Sequence, residues 1–134
     1  MSEFVVDTHA LYWYLAESSR LSDVVREILR GADEGIHHVY VPGVVLVELV
    51  YLAERGRVEN GPVTRAFNLF GGPAGTYRLA ALDQHTALAM REVPRAVVAD
   101  MPDRIITATA RQLGLPLITR DAAIHRSGVV TVVW

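Results

Sequence analysis

Four acidic side chains stand where an alternating strand–helix chain brings chemistry together. Asp7 closes the apolar run Phe4-Val5-Val6, and Asp121 follows Pro116-Leu117-Ile118-Thr119-Arg120. Asp103 opens the segment Arg104-Ile105-Ile106-Thr107-Ala108-Thr109-Ala110, and Glu48 interrupts Val44-Val45-Leu46-Val47 and Leu49-Val50. Strand ends of a parallel sheet share one edge, so carboxylates remote in sequence can meet there. Like charges gathered at one place need a counter-ion. With oxygen donors and no thiolate nearby, that ion is expected to be a hard divalent cation, Mg²⁺ or Mn²⁺. The chemistry such a cluster suits is metal-assisted phosphodiester cleavage.

Each residue also has a plainer reading. Asp7 and Asp103 sit where a carboxylate caps a helix by accepting a backbone N–H from the next turn. Asp121 fits a turn. Glu48 is the most telling, because its neighbours at helical spacing (Val44, Val45, Val47, Tyr51 and Leu52) are apolar. A carboxylate there must find an arginine or a metal, since an uncompensated buried charge costs several kcal/mol. Thr8 and Thr119 lie within reach to position a water or a carboxylate. His9, His37, His38, His85 and His125 show no zinc-ligand spacing, and structural or solvent-facing roles are expected for them. Tyr12, Trp13 and Tyr14, beside Leu11 and Leu15, read as core packing or an association surface. No phosphate-binding glycine loop, dinucleotide fingerprint or nucleophile elbow occurs.

The elements that would position these groups follow from pattern. Strands are expected at Glu3–Val6, His38–Val41, Tyr77–Ala80, Leu115–Ile118 and Val129–Val133. Helices are expected from Thr8 to about Ala16, Asp23–Gly31 capped by Ser22, Val44 to about Glu54, and Gly61 through Phe70. Two more follow at Gln84–Arg91, capped by Asp83, and from Pro102-Asp103 to Gly114. Short strands alternating with helices predict an α/β fold, a three-layer sandwich around a mostly parallel sheet.

The chain has 134 residues, no cysteine and a formal charge of −2, with 51% hydrophobic residues. That length suits one domain over residues 1–134 with a real core. Lack of cysteine removes disulfides and thiolate chemistry. No apolar run approaches the roughly 20 residues of a bilayer span, and the N-terminus lacks a signal pattern, so a cytoplasmic location is expected. All 13 basic residues are arginine. Arginine's planar fork suits phosphate, and the pairs Arg55/Arg57 and Arg91/Arg95 are candidates to line a substrate path.

Three blocks in this order are familiar: Val5-Val6-Asp7-Thr8-His9-Ala10-Leu11-Tyr12-Trp13, Asp100-Met101-Pro102-Asp103-Arg104-Ile105-Ile106, and Leu117-Ile118-Thr119-Arg120-Asp121. With Glu48 on a central helix, the sequence resembles the PIN-domain ribonucleases, specifically the VapC-type toxins of toxin–antitoxin pairs. The resemblance implies an acidic pocket of Asp7, Glu48, Asp103 and Asp121 serving as both metal ligands and catalytic groups. It also implies Mg²⁺- or Mn²⁺-dependent RNA cleavage, frequent homodimerisation and a cognate antitoxin. Many relatives place proline directly after the first aspartate of the Asp-x-x-Asp segment; here Met101 intervenes, which bears on whether Asp100 joins the site. Two other readings stay open. One is an acidic-pocket binding module without turnover, such as a degenerate toxin, although a phosphoacceptor version would want a lysine. The other is a DNA-directed nuclease of the same fold.

Overall fold

A computed structural model describes residues 2–134. Strands β1 (Glu3–Val6), β2 (His38–Pro42), β3 (Tyr77–Ala80), β4 (Leu117–Ile118) and β5 (Val132–Val133) form one sheet in the order β3-β2-β1-β4-β5. All four neighbouring pairs are parallel, with Val5 opposite Tyr40 on one side and Leu117 on the other. Parallel strands are covered on both faces, which is why their residues are apolar rather than alternating. Val5, Val6, Val39, Val41, Leu117 and Ile118 are fully buried.

Between the strands run α1 (Thr8–Leu15), α2 (Asp23–Asp33), α3 (Gly43–Glu54), α4 (Asn60–Phe67), α5 (Gln84–Ala89), α6 (Met101–Leu113) and α7 (Ala122–Ser127). The strand order reverses direction at β1: β2 and β3 extend one way, β4 and β5 the other. Right-handed crossovers place the helices after β1 and β2 on one face and those after β3 and β4 on the opposite face. The expected three-layer α/β/α architecture is present. Helices α1, α3 and α4 pack together, as do α5 and α6, and α3 also meets α6. A reversal of this kind opens a crevice at the carboxyl ends of the two central strands, here β1 and β4.

The helix starts follow the capping grammar of the sequence. Ser22, Asp83, Asp7, Asp100 and Asp121 each accept a backbone N–H from the first turn of the following helix. Gly114 and Gly128 close α6 and α7 in left-handed geometry, at φ of 68° and 69°.

Several expected boundaries shift. Helix α7 was not anticipated, because its six residues carry His125, Arg126 and Ser127 and only Ile124 is fully buried. Asp121 is therefore a helix cap, not a turn residue. The last two strands are shorter than expected: the Val129 carbonyl accepts from Arg111 Nη1 at 2.8 Å instead of joining the sheet. Likewise α5 stops at Ala89. A 3₁₀ turn, Met90–Glu92, follows, and Arg104 holds the carbonyls of Met90 and Val93 at 2.9 and 2.7 Å. The helix expected to reach Phe70 ends at Phe67, with Asn68 as its cap. Among the described residues, no helix is long and apolar enough to cross a membrane.

Candidate active site

The crevice at the reversal point is an open cavity of about 440 Å³, and five carboxylates line it: Asp7, Glu48, Asp100, Asp103 and Asp121. Asp7 ends β1 and caps α1, its Oδ1 accepting the Ala10 N–H at 2.9 Å. Asp121 follows β4 and caps α7 in the same way, accepting from the Ile124 N–H at 2.9 Å. Asp100 caps α6 through the Asp103 N–H at 3.1 Å, which fixes Asp103 in the first helical turn. Capping and site-building are thus not rival explanations. Each cap engages the backbone through one carboxylate oxygen, and the same three residues line the cavity.

Glu48 arrives from the middle of α3. Its place on an apolar helix is resolved by a hydrogen bond from the Thr8 hydroxyl to its Oε1, across the cavity floor from α1 to α3. No arginine pairs with it among the described residues. Thr119, fully buried at the end of β4, accepts the Asp121 N–H on its Oγ1 at 3.1 Å. Both threonines singled out in the sequence therefore support carboxylates of the cavity.

The electrostatics match this crowding. Burial raises the Asp7 carboxyl to about 6, although the Thr119 hydroxyl and the Ala10 N–H favour its charged form. Asp103 rises to about 7, first through burial and then through the charges of Asp100, Asp121, Glu48 and Asp7. Perturbation by burial together with specific like-charged partners in a cleft makes these carboxyls functional-site candidates.

The donor set is chemically right for a hard cation: carboxylate oxygens, no sulfur, and mutual repulsion that a cation would relieve. Among the described residues, though, no group of three or more His, Asp or Glu side chains stands close enough together to hold an ion as placed.

Four further residues line the cavity: His9, Trp13, Arg20 and Arg120. The pairs Arg55/Arg57 and Arg91/Arg95 are not among the residues lining this cavity; Arg55 lies over the Tyr51 ring at the far end of α3, and Arg91 belongs to a separate surface by α5. Arg120 could have been found from its place beside Asp121. His9 and Trp13 are four residues apart on α1 and so share a face. Arg20, in the segment between α1 and α2, carried no signal of its own. Trp13, read from the sequence as core packing or an association surface, packs against the core while half-buried, and it also lines the cavity.

The PIN-domain family profile matches residues 4–129. The chain belongs to the PIN-domain family. It is 31% identical over 137 residues to Ribonuclease VapC22 of Mycobacterium tuberculosis, with the whole of both chains covered. In three dimensions this PIN domain is similar to VapBC2 from Rickettsia felis, solved bound to a promoter DNA fragment. The TM-score is 0.70 at 11% identity, covering 98% of this chain and 97% of the other. DNA-bound VapBC from Salmonella typhimurium gives a TM-score of 0.70 at 17% identity over 99% and 98%. At such identities the structural likeness speaks for the fold alone.

Proposed function

We propose that the protein is a VapC-type endoribonuclease, the toxin of a toxin–antitoxin pair, hydrolysing RNA phosphodiester bonds in the acidic cavity with Mg²⁺ or Mn²⁺. The observation that carries this reading is the convergence of Asp7, Glu48, Asp103 and Asp121 at the sheet reversal of a PIN domain. The full-length likeness to a named ribonuclease supports it.

In this reading Asp7, Asp103 and Asp121 hold the cation, with Glu48 as a further ligand or as the group that orients the attacking water. When bound, the cation supplies Lewis acidity and offsets charge on the phosphate oxygens. The Thr8 hydroxyl holds Glu48 through Oε1, and Glu48, on the cavity lining, would accept a proton from water. Asp100 orders the first turn of α6 and so sets the direction of Asp103. Thr119 braces Asp121 through its backbone N–H. Arg20 and Arg120 provide the positive charge that an otherwise acidic cavity needs to admit a polyanion. No side chain acts as nucleophile.

The same reading assigns a cognate antitoxin as partner, a homodimer as the working assembly, a cytoplasmic location and one PIN domain over residues 1–134. The test is cleavage of a mixed-sequence single-stranded RNA with Mg²⁺ or Mn²⁺, against EDTA and Asp7→Asn controls. Cleavage that needs both the metal and Asp7 is expected. A folded, metal-loaded protein that leaves this RNA intact would shift the reading to a non-catalytic binding module or to a nuclease of very narrow substrate. Cleavage of single-stranded DNA in preference to RNA would instead favour the DNA-directed alternative.

A further inference from the structure

The wall of the cavity nearest β4 and β5 is built from planar groups. Trp13 lies with its ring centroid 5.7 Å from that of His9 and 5.9 Å from that of Trp134, the latter edge-on at 69°. The guanidinium carbon of Arg120 sits 5.7 Å from the Trp13 ring centroid. The fold explains how they meet. His9 and Trp13 share a face of α1, which starts at the end of β1. Arg120 leaves the end of β4, and Trp134 leaves the end of β5, the neighbouring parallel strand. All four therefore emerge at the sheet edge that carries the acidic cavity, and His9, Trp13 and Arg120 line it.

A tryptophan wanted only for packing would be covered, and an arginine wanted only for solubility would point away from it. Here the indole is half-buried and Arg120 is exposed above it. Neither Arg120 nor Arg20 forms an ion pair among the described residues, despite the five carboxylates lining the same cavity. Both guanidinium groups stay available to a polyanion.

We infer that Trp13, backed by His9 and Trp134, and the Arg120 guanidinium over its ring together form a stacking platform for an unpaired base next to the scissile phosphate. This rests on the ribonuclease reading above and adds the residues that select and seat the substrate. Single-stranded RNA is held by base stacking on aromatic and guanidinium planes, with basic groups tracking the backbone. A platform on the wall of the cavity fixes one base, and through it the register of the phosphate over Asp7 and Asp103. It also implies that duplex RNA, whose bases are already stacked, is a poor substrate.

Two arms test the platform separately from the chemistry. In the first, cleavage of a randomised single-stranded RNA is compared for wild type, Trp13→Leu, Trp13→Phe and Arg120→Gln. Leucine keeps apolar volume but has no π face, whereas phenylalanine retains one. Trp13→Leu is expected to raise KM about tenfold with kcat little changed, and to flatten the base preference beside the cut. Trp13→Phe should restore both. Arg120→Gln, an exposed change that leaves the core alone, should raise KM severalfold. In the second arm, done in EDTA, intrinsic tryptophan fluorescence is followed as a short RNA is added, and then the same RNA with abasic positions. Quenching by the first and not the second is expected. A folded Trp13→Leu variant with wild-type KM and base preference overturns the platform and leaves the nuclease reading intact. Base-dependent quenching without cleavage by the wild type upholds the platform and sinks the nuclease. Equal quenching by normal and abasic RNA, or none, overturns the platform.

Discussion

Asp83 and Asp7 are the same residue type in the same local role, with opposite electrostatic outcomes. Each caps a helix by accepting backbone N–H groups, Asp83 from His85 at 2.9 Å and Asp7 from Ala10 at 2.9 Å. Asp83 stands on the surface at the start of α5, where the Thr86 N–H is the main influence holding its carboxyl below the ordinary range. Asp7 lies nine-tenths buried in the acidic cavity, and burial lifts it to about 6 despite its cap. Capping lowers a carboxyl because the bonds favour the charged form; burial raises it because the charge loses water. In the cavity burial wins. An N-cap aspartate is thus a foothold that any helix can offer, and only its surroundings turn it into a candidate reacting group.

The largest test of that contrast is activity. Asp7→Asn keeps a side-chain oxygen for the Ala10 N–H but loses the charge. It should lower RNA cleavage by on the order of a thousandfold, while the Asp83→Asn protein stays within about twofold of wild type in the same assay. Equal losses would mean that helix integrity, not cavity charge, limits the reaction. Next comes Thr8→Val, nearly isosteric but unable to donate to Glu48. A fall of about tenfold in kcat is expected, with the melting profile showing a folded protein. An unchanged kcat would remove Glu48 orientation from the mechanism.

Metal affinity should carry the same signature. Asp7 and Asp103, at about 6 and about 7, must release their protons to bind a cation. Mg²⁺ affinity measured calorimetrically should therefore tighten between pH about 5.5 and 7.5, by about tenfold per pH unit for each proton displaced. The effect should level off above that window. Affinity independent of pH would show that metal binding displaces no proton from these two carboxyls, either because they are not ligands or because they are already ionised.

Much of this was legible in the chain. β1 and β3 fall where the apolar runs and β-branched residues place them, and Ser22, Asp83 and Gly114 punctuate the helices as their chemistry dictates. Asp7 and Asp121 could be named because residues that follow parallel strands share an edge, Asp103 because it opens a helix, and Glu48 because a carboxylate interrupts an apolar helix. What pattern could not give was lateral placement. Sequence spacing singles out Arg55/Arg57 and Arg91/Arg95 and passes over Arg20 and Arg120, which line the cavity, since an arginine's reach depends on which strand end or loop lies opposite it. Trp13 beside apolar Leu11 and Leu15 reads as core packing or an association surface, and only the position of β4 and β5 shows that it also lines the cavity. Helix α7 escaped because six residues carry too little periodicity to distinguish a helical turn from a loop.

The smallest effect is the most direct comparison, since it concerns stability alone and needs no substrate. In EDTA, the folded protein holds protons on Asp7 and Asp103 that the unfolded chain, with carboxyls near 3.8, gives up between pH about 4 and about 7. Native binding exceeds unfolded binding in that window, so metal-free stability must fall as pH rises through it. Asp103→Asn removes one of the crowded charges and keeps the backbone N–H that Asp100 accepts. At pH 8 it should raise stability by about 1 kcal/mol, a figure discounted for the solvent that reaches Asp103, or roughly 4 °C in Tm. Asp83→Ala should move Tm the other way, because it deletes a favourable cap and relieves no repulsion. The two shifts should also respond differently to Mg²⁺: excess cation at pH 8 stabilises wild type more than Asp103→Asn, narrowing or reversing the first difference, and leaves the second unchanged. A fall in Tm for Asp103→Asn in EDTA would mean that this carboxylate serves the fold as Asp83 does, and the contrast between the two regions would collapse.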